Sequence, residues 1–185
     1  MSCRASAEDA KASKDTTSRV APIFQHGDGT SKAINYGAIA CMSVHPPVVY
    51  SEHQAELIIN DEAKRSGIDF SNRKMQLKNV EVPREPSKDD KSDQKPELFA
   101  VRFDGADEQR HIYYEYVSDT DLKNWEVKGG TKETAERLQK NLEKKHSPGT
   151  YAVFYGPNDV AGQDEDNLRQ QVRDFIVWLK AQGVI

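Results

Sequence analysis

A chain of 185 residues, 36% hydrophobic and 30% charged, can bury one core of ordinary size, so its apolar residues must be concentrated in a few segments. Its net charge of -4, with no stretch of basic residues interleaved with aromatics, argues against nucleic-acid binding through a basic groove, which needs many phosphate-neutralising cations. No run reaches the length of a membrane helix, and no apolar signal segment opens the chain; as written it carries no address and is expected in the cytoplasm.

The first 20 residues are polar and too poor in apolar surface to order themselves, so residues 1–20 are expected to form a disordered tail and residues 21–185 a single domain. Cys3 followed by RASAEDAKASKDTTSR matches the polar tether behind an acylated cysteine, which makes a lipid anchor at Cys3, and with it the cell envelope, the alternative location. Val20 to Phe24 is expected to dock on the domain. The glycines of Gln25-His26-Gly27-Asp28-Gly29-Thr30 precede neither G-x-G-x-x-G nor G-K-[ST], so they predict only a turn. Segment 33–44, AINYGAIACMSV, is apolar enough for a buried strand or a short helix, and His45-Pro46-Pro47 ends it.

Ser51 with Gln54 three residues on forms a capping box for a helix over 52–66, whose Ala55, Ile58, Ile59 and Ala63 share a face and which Gly67 stops. Residues 74–82 alternate but slip phase between Leu77 and Val80, which predicts a strand with a bulge. Residues 83–96 are charges and prolines, an exposed and mobile loop. The stretch 97–118 is the strongest signal. Phe99, Val101 and Phe103 alternate up to Asp104-Gly105-Ala106-Asp107, read as a tight turn. Ile112, Tyr114 and Tyr116 then fall on one face, and His111, Tyr113, Glu115 and Val117 on the other. Large residues on both faces place this hairpin inside a sheet covered by helices.

Ser118 caps a short helix over 119–126 with Leu122 and Trp125 inward. Thr131 is expected to cap a helix over 132–145, with Ala135, Leu138 and Leu142 on its buried face. Residues 150–155, TYAVFY, predict a strand buried on both faces. After an acidic loop, the helix over 164–182 carries Leu168, Val172, Phe175, Ile176 and Leu179 as its stripe, with Gly183 as the C-terminal stop. Consecutive strands flanked by helices give an α+β class: a mostly antiparallel sheet of about four strands around the central hairpin, covered by about four helices including a long C-terminal one.

Three groups of residues could carry chemistry. Asp104 and Glu115, on adjacent strands, with Glu52, Glu56 or Glu62 from the preceding helix, could hold a divalent cation. Helix, then strands, with Asp on one strand and Glu on the next, resembles the order of elements in the PD-(D/E)xK nuclease superfamily. That resemblance implies carboxylate ligands and a lysine that stabilises the attacking water. Glu115-Tyr116-Val117 departs from Glu-x-Lys at its last residue, so the signature is incomplete, and the lysine would have to come from elsewhere, for instance Lys123 or Lys132.

Cys41, His45 and His53 could form a soft metal site if the Pro-Pro turn folds the helix start back, although Cys41 in an apolar run is more simply a core residue. Tyr113, Tyr114 and Tyr116, if exposed together, would make a platform for a ligand or partner. The carboxylates of 156–166 lack EF-hand spacing and suit a solvated loop. With no complete catalytic set, the expectation leans away from an enzyme. It is a non-catalytic ligand- or protein-binding module without a cofactor, tethered to an envelope if Cys3 is acylated. The alternative is a divalent-metal-dependent hydrolase or nuclease.

Overall fold

In the computed structural model, described over residues 17–27, 50–71, 75–84, 96–157 and 164–185, the elements are β1 (Ser18–Val20), α1 (Glu52–Lys64), β2 (Gln76–Glu81), β3 (Leu98–Arg102), β4 (Gly105–Asp107), β5 (Ile112–Val117), α2 (Asp119–Asn124), α3 (Thr131–Lys145), β6 (Gly149–Tyr155) and α4 (Asp164–Ala181). Segment 33–44, with Cys41, and His45 lie outside the described residues, as do Cys3 and most of the charged 83–96 loop. No helix among the described residues is long and apolar enough to cross a membrane.

The class is α+β, but the sheet is mixed rather than mostly antiparallel. Its four strands run β1-β6-β5-β4, with β6 parallel to both β1 and β5, and only β4 and β5 antiparallel. The connection from β5 to β6 contains α2 and α3, long enough to return the chain to the starting edge and lay the next strand parallel. β1 comes from the segment expected to remain a disordered tail: Ser18, Arg19 and Val20 pair with Gly149, Thr150 and Tyr151. β2 and β3 form a separate two-stranded antiparallel sheet, with the register shift between Leu77 and Val80 that the phase slip predicts.

The expected hairpin of 99–103 with 112–117 is not found: β3 pairs with β2, and the hairpin is β4 with β5, its turn displaced along the chain. Asp104 and Gly105 do not turn the chain. Phe103 still donates its N–H to the Met75 carbonyl beside β2, whereas the Asp104 N–H goes to Tyr114 on β5. The strand thus leaves one sheet for the other at Phe103–Asp104. The reversal comes four residues later, after Asp107, whose carboxylate accepts the Arg110 N–H at 3.1 Å and helps fix a turn that puts His111 at φ 54°.

Two cores sandwich the sheet. Ile112, Tyr114, Tyr116, Ala152 and Phe154 face α1 and α4, meeting Ala55, Ile59, Leu168, Val172 and Phe175. On the other face Tyr113, Val117, Tyr151, Val153 and Tyr155 meet Ala135, Leu138 and Leu142 of α3 and the β2–β3 ribbon. Ser51 and Gln54 form the expected capping box at α1. At α3 the cap is Gly130, not Thr131, whose hydroxyl instead donates to the Gly156 carbonyl at 2.7 Å.

Candidate functional site

The tyrosines do not form the expected surface. Tyr113, Tyr114 and Tyr116 are 7%, 0% and 2% exposed, because a strand covered on both faces sends successive aromatics into two cores instead of to solvent. Tyr113 stacks on Tyr151 with ring centroids 5.4 Å apart, and Tyr114 meets Phe70 edge-on at 4.8 Å. Of the Cys41, His45 and His53 group only His53 is described. It is largely exposed, its Nδ1 3.8 Å from Glu56 Oε2, as a solvated side chain in a first helical turn would be.

The acidic group is different. Asp104 stands where the strand changes sheets, and its Oδ2 accepts the Tyr116 N–H at 2.8 Å, filling a position on the β5 edge that no backbone carbonyl occupies. An asparagine oxygen could do the same, so this bond alone does not require a carboxylate. Glu115, one residue before Tyr116, is buried, and its Oε2 has no hydrogen-bond partner among the described residues. From α1, Glu52 reaches the buried Ser118 hydroxyl at 3.0 Å, and Glu56 lies buried on the same helix. Asp121, in the first turn of α2, takes that hydroxyl at 2.7 Å and the Ser118 N–H at 2.8 Å.

The electrostatics record how close these groups lie. Burial pushes the Asp104 carboxyl up to about 7, against the Tyr116 N–H that lowers it, and the charges of Asp121, Glu56 and Glu52 raise it further. Burial also raises Glu115 well above the ordinary carboxylate range, with Asp104, Asp121 and Glu52 adding to the effect. Asp121 is raised by burial and by Glu52, against its hydrogen bonds from Ser118. The leading influences on these three carboxyls include no lysine or arginine. A buried, mutually repelling set of carboxylates is costly for folding, and such perturbed groups concentrate at sites that work on ligands. Among the described residues, no three His, Cys, Asp or Glu side chains already stand as the ligand set of an ion. The carboxylates feel one another without being drawn onto a common point.

Glu62, offered by the sequence as another helix carboxylate, is excluded from this group. It is occupied by Arg173 at 2.8 Å, Arg65 at 3.2 Å and Arg169 at 3.3 Å, a tie between α1 and α4, with the Arg173 hydrogen bond foremost in holding its carboxyl below the ordinary range. Neither lysine considered as a replacement is seen beside the carboxylates: Lys132 donates to Gln25 at 3.3 Å, and Lys123 is exposed. Val117, in the position of the missing lysine, is fully buried in the α3-side core. A cleft at the other end of β4, lined by Gly67, Asp69, Ser71, Asp107 and Arg110, has its central Asp107 carboxylate already satisfied by Arg110 and the Asp69 N–H. Sequence reasoning missed Asp121 and Ser118, which read as helix capping alone. Comparison with family models, with curated proteins and with solved structures finds no match to this chain.

Proposed function

We propose that this domain is a divalent-cation-dependent hydrolase of phosphate esters, with Asp104 and Glu115 as the cation's carboxylates. The observation that carries this is the buried, partnerless Oε2 of Glu115 beside an Asp104 carboxyl raised to about 7, an arrangement that a bound cation would relieve. The order of elements agrees with the nuclease resemblance: α1 first, Asp104 entering one strand, Glu115 on the strand paired to it.

A cation held there would polarise a phosphoryl oxygen and lower the pKa of its bound water. Within the chain, the Tyr116 N–H orients Asp104, and the core behind Val117 excludes bulk water from one side of the site.

The test is hydrolysis of a fluorescent duplex oligonucleotide and of an aryl phosphodiester in magnesium or manganese. The parent should release product, and Asp104→Asn and Glu115→Gln should lose at least about a hundredfold in rate. Cation binding without product release would return the domain to the non-catalytic binding class. No binding in either metal would remove the site altogether.

A further inference from the structure

We propose that the cleft at the far end of β4 from Asp104 binds a basic α-amino acid, its carboxylate on Arg110 and its ammonium groups on Asp69 and Glu108. The cleft measures about 380 Å³, and its lining includes Gly67, Asp69, Ser71, Asp107, Glu108 and Arg110. That is the small end of the range for ligand sites, about 300–1,000 Å³. Its first wall is built where α1 stops. Gly67, at φ 76°, turns the chain, and the Ile68 N–H returns to the Ala63 carbonyl at 3.2 Å. Ile68 and Phe70 are then buried in the core shared by α1 and α4, so the intervening Asp69 and the following Ser71 are left exposed on the cleft.

The second wall is the turn after β4, and one buried carboxylate joins the two. Asp107, 3% exposed, accepts the Asp69 N–H at 3.4 Å, the Arg110 N–H at 3.1 Å and Arg110 Nη1 at 2.7 Å. A carboxylate with three donors has little capacity left for a ligand; it holds Arg110 in place. Nη1 is the one guanidinium nitrogen so engaged. Nε and Nη2, which form the side-on fork that fits a carboxylate, have no partner among the described residues. On the other wall Asp69 Oδ1 takes the Ser71 N–H at 3.1 Å, while its Oδ2, like the Glu108 carboxylate, has no partner among the described residues. Three carboxylates stand against one guanidinium, so the cleft carries two excess negative charges and suits a ligand of net positive charge. A fixed fork for one carboxylate beside two unpaired carboxylates is the complement of a molecule with one carboxylate and two ammonium groups, a lysine-like amino acid. The inference stands apart from the cation site and does not rest on it.

The experiment is isothermal titration of the full chain near neutral pH with L-lysine and with 1,5-diaminopentane, which is lysine without its carboxylate. Parent, Asp69→Asn, Arg110→Gln and Arg110→Lys are compared. Arg110→Lys leaves a cation for Asp107 but not the planar fork, so it carries the test if Arg110→Gln fails to fold; thermal melts check both. The parent should bind lysine at least about tenfold more tightly than the diamine, as a charge-assisted pair of hydrogen bonds allows. Both Arg110 variants should bring lysine down to the diamine's affinity. Asp69→Asn, whose amide oxygen can still accept the Ser71 N–H, should weaken both ligands. A diamine bound as tightly as lysine, or a preference for lysine that survives both Arg110 variants, makes the cleft a plain cation trap and overturns the proposal. So does an Asp69→Asn protein with undiminished binding, or a parent that takes up neither compound at millimolar concentration.

Discussion

Asp104→Asn should make the metal-free protein more stable. The native carboxyl titrates at about 7 against 3.8 when unfolded, so the folded state holds its proton over about three pH units in which the unfolded chain has released it. At 1.36 kcal/mol per pH unit, ionising Asp104 in place costs about 4 kcal/mol, and because the residue is only partly buried, solvent screening brings a fair expectation down to about 2 kcal/mol. The sign follows from linkage. The stability associated with the raised carboxyl is fully present below pH 3.8 and is lost as pH rises towards about 7, after which the penalty is constant. Asparagine removes the charge and can still accept the Tyr116 N–H. In chelator above pH 7, then, the variant should melt about 4–8 °C higher than the parent, and the gap should shrink on acidification. Saturating manganese should reverse the order, since an ion at about a hundred times its dissociation constant stabilises the parent by about 2.7 kcal/mol and has lost a ligand in the variant. Melting curves from about pH 3 to about pH 8.5, with and without the metal, read all of this. A variant no more stable than the parent in chelator at the alkaline end would refute the claim that Asp104 is held against its charge.

Three further outcomes follow from the packing. Glu62→Ala takes from Arg173 the carboxylate it bonds to, while Arg169 and Arg65 keep Asp61, and should cost about 1–3 kcal/mol in urea unfolding; because the parent carboxyl is depressed, the difference should fade as pH falls below 4.5. Gly105→Ala pushes a methyl into the Tyr114 ring and to within 2.9 Å of Phe70 Cβ, so it should destabilise by about 2 kcal/mol or more, or prevent folding, as circular dichroism would register. Asn79, at φ 59° in the β2 bulge, should tolerate glycine with little change, whereas valine should lose about 1–2 kcal/mol; equal melting temperatures for the two would refute the strain.

The parts of this fold that were legible are those whose cause is local. Ser51 and Gln54, the stripe from Leu168 to Leu179, and the slip at Leu77–Val80 each declare themselves within one or two turns of chain, and each is present. Strand partners are a non-local matter. Asp104-Gly105 is a strong turn dipeptide, yet Gly105 is required here because the Tyr114 ring occupies the space of a Cβ, and the reversal falls instead to Asp107, which bonds to Arg110. The tyrosines show the same limit: alternation states which of them share a face, and only the placement of α1, α3 and α4 decides that both faces are covered.

The candidate site was legible by halves for this reason. Its residues could be named one at a time from the chain, but what unites them is the change of sheet at Phe103–Asp104. Had the strand turned at Asp104, that carboxylate would stand at a solvated hairpin tip and titrate as an ordinary surface group. Because the strand runs on through Gly105 to pair with β5, Asp104 is brought beside the Tyr116 N–H, next to Glu115, within the field of α1 and α2. The Glu52 contact to Ser118 then links the start of α1 to the end of β5. A displaced turn is thus the step by which five separated acidic residues, Glu52, Glu56, Asp104, Glu115 and Asp121, come to act on one another.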